Sequence, residues 1–207
     1  MTKIITVMNL KGGSGKTTTT AHLAHAYAAK GLSVVIIDAD PQQSLMRWSS
    51  QADWELPVMG KPVPRLYRLL HGMIGDRFDV ALIDTPPLDE KAGIVYGALR
   101  ASDTVIIPLQ PTMLEVERLP DVWHAIDEAA ELRNDDIASM VLFNRTIANA
   151  SSTGIHRTTI EQAGHRVLQT TIPRREAIAQ AGGASIVNLY GHDLVADELE
   201  QKVLNND

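Results

Sequence analysis

Five short runs in this chain are apolar on both faces of the strand each would form: IITVM from Ile4 to Met8, SVVIID from Ser33 to Asp38, VALID from Val80 to Asp84, TVIIPL from Thr104 to Leu109, and SMVLFN from Ser139 to Asn144. A strand with one wet face alternates polar and apolar residues. A strand that does not alternate needs cover on both sides, which is the habit of parallel strands between two helical layers. Helical patterns fall between the runs. TTTTAHLAHAYAAK, from Thr17 to Lys30, is alanine-rich and stops at Gly31, a good C-terminal stop. A second helix is predicted from Glu115 to Leu132, and DLVADELEQKVL forms an amphipathic, core-facing last helix. RVLQTTIP, from Arg166 to Pro173, is predicted as a sixth strand. The repeated β-α-β order gives an α/β fold: a doubly wound, mostly parallel sheet flanked by helices.

The connection from Pro41 to Asp79 is long. It holds SLMRW and RLYRLLHGM, read as two short helices, with the proline-rich LPVMGKPVP as an irregular link. Connections of this length are often functional. With 207 residues, one domain spanning the chain is expected. Cysteine is absent, which excludes disulfides, thiolate metal sites and iron–sulfur ligation by this chain. No apolar run approaches the ~20 residues of a membrane span, and no signal peptide precedes the first strand, so a cytoplasmic location is expected. The formal net charge of -6 means that any nucleic-acid contact needs a local basic patch.

Between the first run and the first helix stands LKGGSGKTT, Leu10 to Thr18. Gly12, Gly13, Ser14 and Gly15 let successive backbone N–H groups turn inward around a phosphate, and the helix that follows adds the positive end of its dipole. Lys16 is placed to reach the β- and γ-phosphates, Thr17 to ligate Mg²⁺, and Thr18 to bond an α-phosphate oxygen. Asp84, at the end of a buried strand, is a second anchor for the metal, and Asp38 a supporting carboxylate in its shell. Asp40, further out, is placed to position water for in-line attack on the γ-phosphate. Turn chemistry is the alternative for Asp38 and Asp40, since Pro41 follows.

These residues carry a resemblance. KGGSGKTT resembles the deviant Walker A motif of the ParA/MinD ATPases, DADPQQS the first switch motif of the ParA branch, and LIDTPP the Walker B and second switch region. VIIPLQPT and the stretch from Thr170 to Leu199 are also similar. Length and the lack of an N-terminal module resemble the small plasmid-type ParA proteins. The resemblance implies ATP and Mg²⁺ as cofactors and Asp40 as the residue needed for hydrolysis. It implies that Lys11 reaches across a homodimer to the partner's ATP phosphates. Asn144, Pro173 and Arg174 match positions that flank the adenine, although Asn144 can equally cap a turn and Pro173 end a strand. Leu88-Asp89-Glu90-Lys91 departs from the small residues and glycine usual after the second switch.

The function so implied is DNA partitioning. ATP closes a dimer, the dimer binds DNA without sequence preference at the nucleoid, and a small centromere-binding, ParB-like partner stimulates slow hydrolysis. Arg145, Arg157, Arg166, Arg174 and Arg175, with Lys202, are the candidate DNA contacts. A MinD-like positioning ATPase would need a basic amphipathic C-terminal helix, and DELEQKVLNND is acidic; no membrane contact is expected. An ATP-dependent metabolic synthetase on the same fold is the other alternative. His22 and His25 are expected to be surface or packing residues, and Met46, Trp48 and Trp123 packing residues.

Overall fold

The computed structural model describes residues 1–133 and 135–204, and side chains only as far as residue 201. In chain order the elements are β1 (Lys3–Val7), α1 (Lys16–Ala29), β2 (Val34–Asp38), α2 (Ser44–Gln51), β3 (Val58–Gly60), α3 (Leu66–Ile74), β4 (Val80–Asp84) and α4 (Leu88–Leu99). Then come β5 (Thr104–Leu109), α5 (Met113–Val116), α6 (Leu119–Glu131), β6 (Ala138–Phe143), α7 (Ser151–Gln162), β7 (Arg166–Val167), α8 (Glu176–Ala179) and α9 (His192–Leu204). The strands form one sheet in the order β3-β2-β4-β1-β5-β6-β7, and every pairing is parallel. The doubly wound α/β class is therefore the one observed.

Side chains alternate across each strand, so the two-sided apolar runs feed two separate cores. On one face Ile5, Val7, Val34, Ile36, Val80 and Leu82 pack with α1, α2 and α9, where Val195, Ala196 and Leu199 are buried. On the other face Val35, Ile37, Ala81 and Ile83 meet α3 and α4. Beside them Val105, Ile107, Val141 and Phe143 meet α4, α6 and α7.

Three expectations need correction. The proline-rich link between the two short helices contains an edge strand: Val58, Met59 and Gly60 pair with Ile36, Ile37 and Asp38, making seven strands among the described residues. Prolines on either side confine it to three residues, and an edge is where proline is tolerated. The run from Arg166 to Pro173 is a two-residue strand followed by a single bridge between Thr146 and Pro173. The helix expected from Glu115 to Leu132 is two helices. Pro120, in the first turn of α6, has no N–H to continue a helix from α5 but suits a new start.

Two glycines of α4 fix how closely it lies on the β3–α3 loop. A Cβ built on Gly97 would stand 2.3 Å from the Pro64 carbonyl oxygen and 2.8 Å from its carbon, whereas one on Gly93 would sit at 3.8 Å from the Pro64 ring. The helix is broken at Lys91, whose backbone is non-helical at φ −140° and ψ 50°. Tyr96 bonds Glu128 across to α6.

Candidate functional site: a glycine-rich loop at the carboxyl ends of the strands

The loop between β1 and α1 lies at the carboxyl edge of the sheet, flanked by the ends of β4 and β5 on either side of β1. Gly13 and Gly15 take φ of 77° and 92°, a left-handed conformation that a side chain resists. Gly15 is closed to a side chain for a second reason. Asn144 donates from Nδ2 to the Ser14 carbonyl (2.6 Å), and a Cβ on Gly15 would meet that nitrogen at 2.7 Å. Asn144 thus ties the end of β6 to the glycine-rich loop.

The two lysines of the loop live in opposite environments. Lys16 is buried, 6% exposed, and its ammonium donates to the Lys11 carbonyl at 3.0 Å. Burial pulls its pKa down, and the carboxylates of Asp84, Asp40, Glu90 and Asp89 pull it back up. The Lys11 side chain is exposed. Leu10, standing where the loop would ordinarily begin with glycine, packs at the rim of the core around Leu88 and Leu109. Its carbonyl accepts the Asp89 N–H, and the Asn9 carbonyl accepts the Leu88 N–H, both at 3.2 Å. The first turn of α4 is thereby hung on the loop. Asn9, buried, bonds Pro108 on β5 through Nδ2 and Leu10 through Oδ1. Sequence reasoning missed Asn9; its signal would have been a polar residue directly after an apolar strand.

Asp84 is fully buried at the end of β4. Its Oδ2 accepts the Thr17 hydroxyl at 2.8 Å, while Oδ1 has no partner. Burial pushes the carboxyl up to about 8, against the pull of Thr17 and Lys16. An orphaned, buried carboxylate oxygen beside a threonine hydroxyl is a donor set that suits Mg²⁺. That ion takes one or two protein ligands and completes its shell with water and phosphate. Among the described residues no group of three or more His, Asp or Glu side chains could hold a metal by itself.

Asp38 stands beside Asp84, its register partner across β2 and β4, and raises the Asp84 pKa electrostatically. Its two oxygens accept the Asp40 N–H (3.2 Å) and the Met46 N–H (3.0 Å). Its carboxylate is thus committed to the start of α2. Burial raises its pKa and these backbone bonds lower it. Asp40 is partly exposed and accepts the Gln42 N–H at 2.8 Å. It makes a tight turn and still lies close enough to Lys16 and Asp84 to act on both electrostatically.

From the loop a cleft of about 660 Å³ runs outward between Gly15, Thr18 and Asn144 on one side and Pro173, Arg174 and Ala179 on the other. His192 also lines it. The expected residues Thr18, Asn144, Pro173 and Arg174 do share one wall-to-wall space. His192, unforeseen, is 1% exposed, and its Nδ1 donates to the Leu189 carbonyl (2.7 Å). Burial, with His22 4.8 Å away ring to ring, drives its pKa down to about 3.

The expected arginine patch is divided. Arg145, Arg174 and Arg175 border this cleft. Arg157 is held by the Val167 and Gln169 carbonyls and by Glu161. Arg166 lines a separate cleft with Asp103 and Asp136, at the starts of β5 and β6. The Lys202 side chain lies outside the described residues. His22 and His25 are packing residues, set against Trp48 and Trp54. Trp48 belongs to the same core, and Trp123 stacks on His165. No described helix is long and apolar enough to cross a membrane.

Comparison with known proteins places this geometry. The family profile described as "CobQ/CobB/MinD/ParA nucleotide binding domain" matches residues 5–186. The maintenance of carboxysome distribution protein A of Halothiobacillus neapolitanus is 31% identical over 212 aligned residues, covering 97% of this chain and 94% of that protein. The chromosome partitioning protein ParA of Caulobacter vibrioides is 27% identical over 224, covering 86% and 83%. The structure of cobyrinic acid a,c-diamide synthase from Mycobacterium smegmatis with bound ADP and magnesium superposes with a TM-score of 0.78 at 22% identity, covering 100% of this chain and 97% of that one. With a glycine-rich loop at the carboxyl edge of a parallel sheet, and a family match over most of its length, the chain belongs to the CobQ/CobB/MinD/ParA nucleotide-binding domain family.

Proposed function

We propose that this protein is a ParA-type partitioning ATPase, an ATP-driven dimer switch that binds DNA without reading its sequence. ATP with Mg²⁺ is the nucleotide. The loop N–H groups and Lys16 hold the phosphates, Thr17 and Asp84 hold the metal, and Asp40 positions the attacking water. Bound Mg²⁺ supplies charge neutralisation on the phosphate oxygens. Two of the relatives named above bear names for distributing a cargo, chromosomes in one case and carboxysomes in the other. A DNA cargo held through a small ParB-like partner is the reading preferred here, with the protein on the nucleoid.

The observation that carries this reading is the split between the two loop lysines. Lys16 is buried beside the site, and Lys11 is exposed at its mouth. One ammonium serves the protein's own phosphates; the other is free to meet those of a facing copy, so that ATP itself forms part of a two-fold interface. ADP offers less charge at that contact, and the dimer opens after hydrolysis. A partner that supplies an arginine or orders the switch segments would speed a slow basal rate, by ~10³–10⁵-fold where such arginines act in other P-loop enzymes. Arg145, Arg174 and Arg175 are the candidates for DNA phosphates.

Co-sedimentation with non-specific DNA in the presence of ATP, ADP or no nucleotide tests the proposal. Binding is expected with ATP only, at low salt, and should weaken steeply as salt is added. Binding indifferent to nucleotide, or none under any condition, would overturn the partitioning role.

A further inference from the structure

One short helix joins the outer wall of the cleft to the Asp40 turn. The start of α2 is clamped by Asp38, which holds the Met46 and Asp40 N–H groups on its two oxygens. Within α2, Trp48 donates its indole N–H to the Ala184 carbonyl at 2.7 Å. Gln51, at the end of the helix, lies against Gly183: a Cβ built there would be 2.7 Å from the Gln51 Oε1. Ala184 and Gly183 belong to the segment 180–191, and the residues on either side of it, Ala179 and His192, both line the cleft. Ile178, Ala181, Ile186 and Leu189 pack on the same apolar cluster as Trp48. Trp48 is 5% exposed, with the rings of Trp54 and of His22 on α1 at 5.2 and 6.2 Å.

We infer that Trp48 is a positioning residue that links occupancy of the base end of the cleft to the placement of Asp40, so that turnover and not affinity alone depends on the base. The inference rests on the ATPase reading above. The phosphates of any ligand reach the glycine-rich loop, Lys16 and Thr17. Only a ligand carrying a base reaches the wall formed by Arg174, Ala179 and His192. That wall continues into 180–191, and 180–191 holds α2 through Trp48 and Gln51. A helix transmits such a constraint as a rod, and its far end is the Asp38 clamp on the Asp40 backbone. Ordering the wall therefore narrows the positions open to the Asp40 carboxylate, and misplacing a reacting group by ~1 Å can cost ~10²-fold in rate.

The test is steady-state hydrolysis by the full chain at saturating ATP or saturating inorganic tripolyphosphate, each with Mg²⁺. The wild type is expected to turn over ATP about tenfold faster or more. Trp48→Phe removes the N–H donor together with the five-membered half of the indole and leaves a six-membered aromatic ring in the core. It should bring the ATP kcat to within about threefold of the tripolyphosphate kcat while the KM for ATP changes less than about threefold. Gln51→Ala, at an exposed position that does not endanger folding, should move the ratio the same way by a smaller factor. A variant that is merely less stable loses rate on both substrates equally and leaves the ratio alone. Wild-type ratios in both variants, or equal kcat for the two substrates in the wild type, would overturn the inference and leave the ATPase reading standing. Absence of ATP hydrolysis by the wild type would remove that reading, and this inference with it.

Discussion

Two glycines four residues apart on one helix face should respond to alanine in opposite directions. At Gly93, exposed in α4, a new methyl would meet the Pro64 ring at 3.8 Å, an ordinary contact. Alanine there gains most of the ~0.8–1 kcal/mol by which it exceeds glycine in a helix. At Gly97 the same methyl would stand 2.3 Å from the Pro64 carbonyl oxygen. Separating them to normal contact requires a shift of about 1 Å between two backbones, and backbone cannot rotate aside. Overpacking of this kind costs up to ~3 kcal/mol, of which helix propensity returns ~1. Gly93→Ala is thus expected at ~0.5–1 kcal/mol above wild type and Gly97→Ala at ~2 below. With a slope of ~2 kcal/mol/M the two urea midpoints would differ by roughly 1.5 M. The measurement is urea unfolding followed by far-ultraviolet circular dichroism. A Gly97→Ala midpoint at or above wild type would refute the argument, because it would mean that α4 does not rest on Pro64 as described.

Lys11→Ala is expected to bind ATP as a monomer and to lose both dimerisation and ATP-dependent DNA binding; light scattering with a slowly hydrolysed analogue would reject the trans role if the mutant dimer were of normal stability. Asp40→Ala should retain ATP binding and dimerisation while hydrolysis falls ~10²-fold or more; wild-type turnover would show that another group positions the water. Lys16→Ala should abolish nucleotide binding, since a triphosphate loses its main charge-assisted partner, and near-normal calorimetric titration would sink the loop assignment. His192, with an ordinary pKa of 6.5 lowered to about 3, sets a direction for acid. Below pH 6.5 the unfolded chain binds a proton that the native chain refuses, so stability falls with pH down to about 3, by about 2 kcal/mol at pH 5. Comparing urea midpoints at pH 7 and pH 5 for wild type and His192→Gln isolates this contribution, and identical pH dependence in both would contradict it.

The strands of the sheet interior were legible because burial on two faces leaves an unbroken apolar run that local sequence cannot disguise. β4 and β5 fall where VALID and TVIIPL place them. β3 was not legible, because three edge residues between prolines carry no period of their own and exist by pairing with β2. The glycine-rich loop was visible from spacing alone. The surroundings of Asp38 were not: which way a strand-end carboxylate turns depends on the N–H groups of Asp40 and Met46, and those are placed by the turn into α2. His192 and Trp48 belong to the same class. Their neighbours come from distant parts of the chain, and neither residue stands in a motif.

The bond between the Lys16 ammonium and the Lys11 carbonyl makes the loop a lock with its key already seated. The ammonium has three N–H donors and spends one on that carbonyl, so an arriving anion meets a charge already held in place with donors to spare. The ammonium does not wait in bulk water, where it would carry a full hydration shell to be stripped. The oxygen that holds it belongs to the residue whose side chain is exposed. Loading of one lysine is thus felt in the main chain of the other, over a separation of five residues.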